Sequence, residues 1–234
     1  LSGGGYAERV VVPAGQLLPL PDELAFEEAA ALPEALCTVW MCLDLARARP
    51  GERWLVHAAA SGIGTTALMA ARELGLRTFA LASADKLDRC LALGAEGVAD
   101  RRGDWVAAVK SWAPQGVDLV LDPIAGESLA RDQQVLGMGG RIVVIGLMGG
   151  ASSMLDAGRL LVKRQQVLGT VLRARDDADK ARIVAGVLRD LWTAVVAGRL
   201  RPVVDAVFPI EEAEAAHARI SSDRTVGKVV LRVG

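Results

Sequence analysis

Short apolar segments alternate with helical segments through the middle of this 234-residue chain. Strands are predicted at 53–58, 78–82, 97–99, 117–122 and 140–146, and helices at 64–74, 83–94, 104–112 and 126–136. Parallel strands need a crossover between them, usually a helix, and they are covered on both faces. The alternation therefore predicts an α/β fold with a doubly wound parallel sheet.

The two ends of the chain do not follow this alternation. A strand is predicted at 6–12, and a long helical pattern over 26–48 is interrupted at Pro33. The C-terminal part predicts a helix, a strand, a second helix and a final strand, at 177–197, 202–210, 211–220 and 227–233. We expect the two ends to form a second domain together.

Composition excludes several classes of protein. The net charge of −1 leaves no basic excess for binding nucleic acid, and no uninterrupted apolar run reaches the length of a membrane span. Three cysteines and two histidines predict neither a disulfide framework nor a zinc cluster, so a reduced, cytoplasmic setting is expected. The chain opens in a predicted strand without Met or a signal peptide, and we expect an N-terminal part of the natural protein to precede it.

The segment 57–64, HAAASGIG, lies between a predicted strand and a predicted helix. A dinucleotide-binding turn needs small residues there, so that backbone N–H groups and a helix N-terminus can approach a pyrophosphate. Ala59 and Ser61 stand where the usual pattern has its first two glycines, and Gly64 keeps the third. The segment alone could equally be a small-residue turn, but the strand before it and the helix after it favour a phosphate-binding turn.

The end of the next strand indicates which dinucleotide is preferred. An NAD site would place Asp or Glu there to bind the ribose hydroxyls, whereas this chain has Ser83 and, one turn later, Lys86. A hydroxyl and a cation suit a 2′-phosphate, and Arg101 after the third strand would add a second cation. The alternative interpretation is that Ser83 only caps the following helix and Lys86 is a solvent-exposed charge.

Several segments read together resemble one enzyme family. They are GGGYAERVVVP, AAALPEALCTVW, RPGERWLVHAAASGIGTTAL, GRIVVIGLMGG and LLVKRQQVLGTVLRARD. With them the chain resembles the zinc-independent NADPH:quinone oxidoreductases of the medium-chain dehydrogenase/reductase superfamily, in particular the tumour-suppressor-inducible subgroup. Small-residue loops of the form AxxSGxG are usual in that family.

The resemblance implies a Rossmann-type domain inserted into a GroES-like β-barrel domain whose N-terminal part is absent here. It implies that 1–34 and 176–234 belong to the GroES-like catalytic domain and that 35–175 form the NADP-binding domain. It assigns NADPH contacts to Thr38, Ser61, Gly62, Ile63, Gly64, Ser83, Lys86, Arg101, Ile124, Ala125, Gly146, Leu147, Met148, Leu172 and Arg173. Of these, Thr38, Leu147 and Met148 would lie on the nicotinamide side. The family's tyrosine at the position of Arg101 is absent.

The resemblance implies hydride transfer from NADPH to a quinone or similar conjugated carbonyl, without zinc or flavin. Such a reaction needs a dry, apolar slot rather than a catalytic triad. His57 is predicted to be a packed strand residue and His217 a residue on a helix face. Glu34 lies where some zinc-dependent relatives have a metal ligand, but Cys37 and Cys42 lack a zinc spacing, and no metal site is expected.

Two other functions stay open at this point. One is an enoyl-thioester reductase of the same superfamily, and the other is a non-catalytic NADPH-binding or redox-sensing protein. No nucleic acid or membrane partner is expected. A homodimer is expected through the apolar strand predicted at 166–172, if that strand lies at the edge of the sheet.

Overall fold

The computed structural model describes residues 4–234, which divide into two compact units. The first, which we call the sheet unit, comprises 42–59 and 67–171. The second, the terminal unit, comprises the described residues up to Met41, together with 60–66 and 172–234.

The sheet unit contains six parallel strands. They are β1 (Arg53–Val56), β2 (Arg77–Ala82), β3 (Gly97–Asp100), β4 (Val117–Asp122), β5 (Leu136–Val144) and β6 (Gln166–Gly169). Their order is β3-β2-β1-β4-β5-β6, with β6 at one edge. This is the order of the dinucleotide-binding fold, in which the chain reverses direction across the sheet between β1 and β4. The predicted α/β fold with a parallel Rossmann-type sheet is therefore confirmed.

Helices connect the strands or belong to the terminal unit. In chain order they are α1 (Phe26–Ala31), α2 (Pro33–Leu45), α3 (Gly62–Glu73), α4 (Leu87–Ala92), α5 (Trp105–Trp112), α6 (Ser128–Val135), α7 (Ala157–Lys163), α8 (Asp177–Asp190), α9 (Trp192–Val196) and α10 (Ala213–Ser221). Helix α5 begins at Trp105 because the side chain of Asp104 caps it, accepting a hydrogen bond from the N–H of Ala107.

The core of the sheet unit lies where β1, β2 and β4 pack against α5 and α6. Leu55, Leu81 and Val120 are at most 1% exposed, and Trp105 of α5 is 2% exposed. Burying one such aliphatic side chain contributes about 1.5–3 kcal/mol. The strands are apolar on both faces because helices cover the sheet, as the sequence pattern indicated.

The terminal unit contains a second sheet of two parallel strands, β7 (Val204–Pro209) and β8 (Lys228–Arg232). Helices α2 and α8 pack closely, since the ring of Trp40 occupies the space that a Cβ at Gly186 would need. The indole N–H of Trp40 also donates to Oδ2 of Asp190, at 2.8 Å.

The strand predicted at 53–58 ends at Val56, so His57, which was predicted to lie in a strand, lies in the turn that follows. Two other predicted strands differ more strongly from the structure. Residues 6–12 form no strand, and Val11 is 98% exposed. The run of valines has high strand propensity, but that propensity needs a paired neighbour, and none is present among residues 4–234. The strand predicted at 166–172 ends at Gly169, because residues 171–174 turn away from the sheet.

Candidate functional site

The carboxyl edge of the six-stranded sheet gathers most of the predicted site residues of the sheet unit. In doubly wound sheets, ligands bind outside this edge, where the strand order reverses. The turn that starts at His57 follows β1, Ser83 follows β2, and Arg101 follows β3. Ile124 and Ala125 follow β4, and the segment with Gly146, Leu147 and Met148 follows β5.

The turn between β1 and α3 has the local geometry of a phosphate-binding turn. The hydroxyl of Ser61 accepts a hydrogen bond from the N–H of Gly64, at 3.1 Å, as an N-cap residue does. Helix α3 begins at Gly62, so the N–H groups of its first turn have no partner within the helix. Ala58 has a left-handed backbone (φ 47°), which gives the chain its sharp turn out of β1. The turn can therefore present N–H groups to an anion.

Lys228, which lies beside this turn in the terminal unit, was not predicted as a site residue from sequence. A Cβ at Gly62 would come 2.5–2.9 Å from the side-chain carbons of Lys228, so the lysine stem lies directly on the start of α3. The ammonium of Lys228 lies 2.6 Å from Oε2 of Glu34, and Oε1 of Glu34 accepts from the hydroxyl of Thr38, at 3.1 Å. No local sequence signal points to Lys228, since its contact joins residues far apart in the chain.

The ends of β2 and β3 bring Ser83, Lys86 and Arg101 to the same part of the sheet edge. The N–H of Arg101 donates to the carbonyl of Ala82, and the N–H of Lys86 donates to the carbonyl of Ser83, both at 2.9 Å. Lys86 is only 6% exposed, so its interpretation as a solvent-exposed charge is wrong. Ser83 occupies the cap position of a 3-10 turn, but its hydroxyl makes no capping hydrogen bond.

Backbone contacts join the loops that follow β4 and β5. The N–H of Met148 donates to the carbonyl of Pro123, and the N–H of Gly149 donates to the carbonyl of Ile124. A Cβ at Gly146 would come 2.7 Å from the oxygen of Pro123, so glycine is needed for this approach. Leu147 and Met148 are 59% and 75% exposed, which leaves two apolar side chains on the carboxyl edge of the sheet.

Leu172 and Arg173 lie in the terminal unit, in the turn that follows β6 along the chain. The carbonyl of Leu172 accepts from the N–H of Arg175, at 3.3 Å. Leu172 is half-buried and Arg173 is exposed.

A buried ionic pair under the sheet edge was also missed from sequence. Nε2 of His57 lies 2.7 Å from Oδ1 of Asp132, and the two residues are 5% and 0% exposed. Burial disfavours the imidazolium ion, but the carboxyl groups of Asp132 and Asp122 outweigh it and raise the pKa of His57. Burial also raises the pKa of Asp132, against the attraction of His57. The pair therefore holds a proton more tightly than isolated side chains would.

The other histidine and the metal-ligand candidates have different surroundings. The ring of His217 lies 2.8 Å from the hydroxyl of Tyr6. Burial raises the pKa of the Cys37 thiol to about 11, and Cys42 is also buried. Across residues 4–234, no three His, Cys, Asp or Glu side chains are grouped so that they could hold a metal ion. No helix in the same range is both long and apolar enough to cross a membrane.

Comparison with known proteins agrees with this fold. The sequence model of the zinc-binding dehydrogenase family matches residues 93–231. The quinone oxidoreductase of Thermus thermophilus, whose structure is known also in complex with NADPH, is 42% identical. It superposes with a TM-score of 0.87 over 99% of this chain and 75% of its own.

Two curated relatives point to different biological settings. The quinone oxidoreductase of Rattus norvegicus is 30% identical over 97% of this chain and 69% of its own length. The spectinabilin polyketide synthase system protein NorB of Streptomyces orinoci is 38% identical over 92% of this chain, which corresponds to 10% of that protein. The chain spans less than two thirds of several such relatives. From its fold and these similarities, the chain belongs to the zinc-binding dehydrogenase family, within the medium-chain dehydrogenase/reductase superfamily.

Proposed function

We propose that this chain binds NADPH and is part of an oxidoreductase that reduces quinones or similar conjugated carbonyls. The observation that carries the proposal is the buried Lys86 beside Ser83 and Arg101. Ser83 and Lys86 follow β2, and the neighbouring strand β1 leads into the phosphate-binding turn. A cation and a hydroxyl at that position suit a 2′-phosphate and provide no carboxylate for the ribose hydroxyls of NADH.

Different residues of the chain would bind different parts of NADPH. Ser61, Gly62, Ile63 and Gly64 would line the pyrophosphate site, where N–H groups at the start of α3 would be donors and the ammonium of Lys228 an added cation, while the N–H of Gly64 is held by the hydroxyl of Ser61. Ser83, Lys86 and Arg101 would hold the 2′-phosphate. Cofactor contacts are also proposed for Thr38, Ile124, Ala125, Gly146, Leu147, Met148, Leu172 and Arg173.

NADPH supplies a hydride, and a quinone that accepts it takes up a proton from water to become a hydroquinone. The protein's part in this chemistry is orientation and exclusion of water rather than covalent catalysis. Leu147 and Met148 would provide an apolar surface for a flat acceptor, because their side chains are exposed at the sheet edge. The site is proposed to work without zinc, since Glu34 is already bound to Thr38 and Lys228.

An enoyl-thioester reductase is the second candidate. The similarity to a polyketide synthase protein, at 38% identity over 92% of this chain, favours it. Such an enzyme would use the same cofactor residues, so the two candidates differ in the acceptor alone. A non-catalytic NADPH-binding protein is a third candidate.

The decisive experiment follows NADPH oxidation by the full-length protein with a panel of quinones and enoyl thioesters, and with NADH in parallel. We expect quinone-dependent oxidation of NADPH and much slower oxidation of NADH. Oxidation with enoyl thioesters alone would establish the second candidate, and NADPH binding without any turnover would establish the third. Equal use of NADH would contradict the role of Lys86.

We further propose that residues 1–34 and 176–234 belong to the catalytic domain and that 35–175 form the cofactor domain.

We also propose that the protein is a cytoplasmic homodimer. Strand β6 is the last strand of the sheet, and we propose that its outer edge pairs with a second copy. Val171, just beyond β6, is 50% exposed. Val171→Lys should dissociate the dimer in sedimentation experiments, whereas Val207→Lys, on β7, should not.

A further inference from the structure

Three ionisable side chains meet in the core beneath the carboxyl ends of β1 and β4. His57 is 5% exposed, and Asp122 and Asp132 are 0% exposed. The ring of Trp105 packs edge-on against the imidazole, with the ring centroids 5.3 Å apart. The guanidinium of Arg131 stacks on Trp105, 4.4 Å from its centroid. The cluster is thus sealed from water, where an uncompensated charge is costly.

The carboxyl group of Asp122 accepts three hydrogen bonds. Its Oδ1 accepts from the N–H groups of Ile124 and Ala125, at 2.7 and 2.9 Å, and its Oδ2 accepts from the hydroxyl of Ser128, at 3.1 Å. These three donors hold the carboxyl group in place at the end of β4.

The second carboxyl group of the cluster needs a proton. Oδ2 of Asp132 is buried without a hydrogen-bond donor among residues 4–234, and the carboxyl group of Asp122 adds to burial in raising the pKa of Asp132. Two buried carboxylates side by side repel each other, so one of them holds a proton or has a cation beside it. A proton shared by His57 and Asp132 compensates the buried charge of Asp132 and relieves its repulsion with Asp122.

We propose that the His57–Asp132 pair positions the cofactor-binding loops of the sheet edge, and that it does so only while it holds this proton. The proposal rests on the proposed binding of NADPH. His57 and Asp132 do not touch the reacting atoms, and they act through Asp122 and the backbone on either side of it.

The loop after β4 links the His57–Asp132 pair to the cofactor-binding edge of the sheet. Ala125 has a left-handed backbone (φ 55°), a conformation that costs about 1 kcal/mol for a residue other than glycine. The bond from its N–H to Asp122 helps to hold that conformation. Loss of the proton would leave Asp132 charged against Asp122, and the repulsion would loosen the loop. The charged groups that face His57 are Asp132 and Arg131 of α6 and Asp122 of β4, while α5 contributes the uncharged Trp105.

Asp132→Asn is the sharpest test because asparagine imitates the protonated acid. Its carbonyl can accept from Nε2–H of His57, and its amide can donate towards Asp122. The dissociation constant of NADPH would be measured by fluorescence from about pH 6 to about pH 10, a range that spans the ordinary pKa of histidine and several units above it. In the wild type it should rise by up to about tenfold per pH unit once the proton is lost. In Asp132→Asn it should remain near the low-pH value of the wild type.

A second measurement does not depend on the variant or on the cofactor. The chain has only two histidines, so NMR can follow the ring of His57 in the free protein, with His217→Gln for assignment. The midpoint of the His57 titration should coincide with the pH at which NADPH affinity begins to fall. Asp88→Asn, an exposed aspartate on α4, serves as the matched control and should follow the wild-type profile.

The outcomes separate this inference from the proposed function. Parallel pH profiles for the wild type and Asp132→Asn would overturn the inference, because the pH dependence would then not come from the His57–Asp132 pair. A wild-type affinity that does not follow the His57 titration would also overturn it. No binding of NADPH at any pH would instead refute the proposed function, and this inference with it.

Discussion

The ammonium of Lys228, on β8, lies 2.6 Å from the carboxylate of Glu34, on α2, and the lysine stem covers Gly62 at the start of α3. The pair therefore places a cation beside the turn that we propose binds the pyrophosphate. The pair is partly exposed, and an ion pair near the surface contributes about 0–1 kcal/mol to stability, so we expect its value to lie in binding.

Lys228→Met should weaken NADPH binding by about tenfold, because a charge-assisted hydrogen bond to phosphate contributes about 1.5–3 kcal/mol. Methionine keeps the apolar contact with Gly62, so the free energy of unfolding should change by less than about 1 kcal/mol. Arg232→Met is the matched control, since Arg232 lies on the same strand and pairs with Glu27. The role of Lys228 is wrong if both variants bind NADPH as the wild type does.

Lys86→Met should reduce the preference for NADPH over NADH. The substitution removes a buried cation at the end of β2 and should raise the dissociation constant of NADPH by about 10- to 100-fold, with little effect on NADH. Titration of both cofactors, with Lys110→Met on the exposed face of α5 as control, measures the change. An equal loss of affinity for both cofactors would show that Lys86 does not contact the 2′-phosphate.

Gly186→Ala should destabilise the terminal unit although alanine favours helices. The added Cβ would overlap the ring of Trp40, and overpacking of this kind costs about 1–3 kcal/mol, against a gain of about 1 kcal/mol in helix propensity. Urea unfolding of the variant and of Gly169→Ala would measure the difference, since a Cβ at Gly169 meets no atom within 4 Å. Equal stability of the two variants would contradict close packing at Trp40.

The carboxylate of Asp190 should stabilise the protein at neutral pH and lose this effect in acid. Its hydrogen bond with Arg189, supported by the Trp40 N–H, lowers the pKa of Asp190. A lowered folded-state pKa contributes stability above the unfolded value, about 3.9, and this contribution is lost as the pH falls through the folded value. Asp190→Asn should cost about 1 kcal/mol at pH ~7 and almost nothing at pH ~2. Unfolding curves at both pH values would measure the free energy of unfolding, with Asp88→Asn as the control. If Asp190→Asn lowers that free energy equally at both pH values, the effect comes from packing and not from the charge.

The sequence predicted the sheet well because its signals are local. The strands of the sheet unit are short apolar runs, such as Arg53–Val56 and Val117–Asp122, and each is followed by a turn and a helix. The wrongly predicted strand at 6–12 has the same apolar character but lacks a partner strand among residues 4–234, which no local pattern can reveal.

The chemistry at the sheet edge could be predicted only in part. Ser83, Lys86 and Arg101 follow strand ends, and topology brings strand ends together, so their proximity could be expected. The contacts of His57 with Asp132, and of Lys228 with Glu34, join residues 75 and 194 positions apart. Such pairs depend on how elements far apart in the chain pack together, and local periodicity does not encode them.

The junction between the loops after β4 and β5 has a consequence for protein engineering. A Cβ at Gly146 would come 2.7 Å from the main-chain oxygen of Pro123, and a Cβ at Gly149 would come 2.9 Å from the side chain of Ile124, so enlarging either position forces its neighbours to move. Leu147 and Met148 between them project into solvent and can be exchanged without repacking anything. A library designed to change the acceptor of the proposed reductase should therefore randomise these two side chains and leave the flanking glycines fixed.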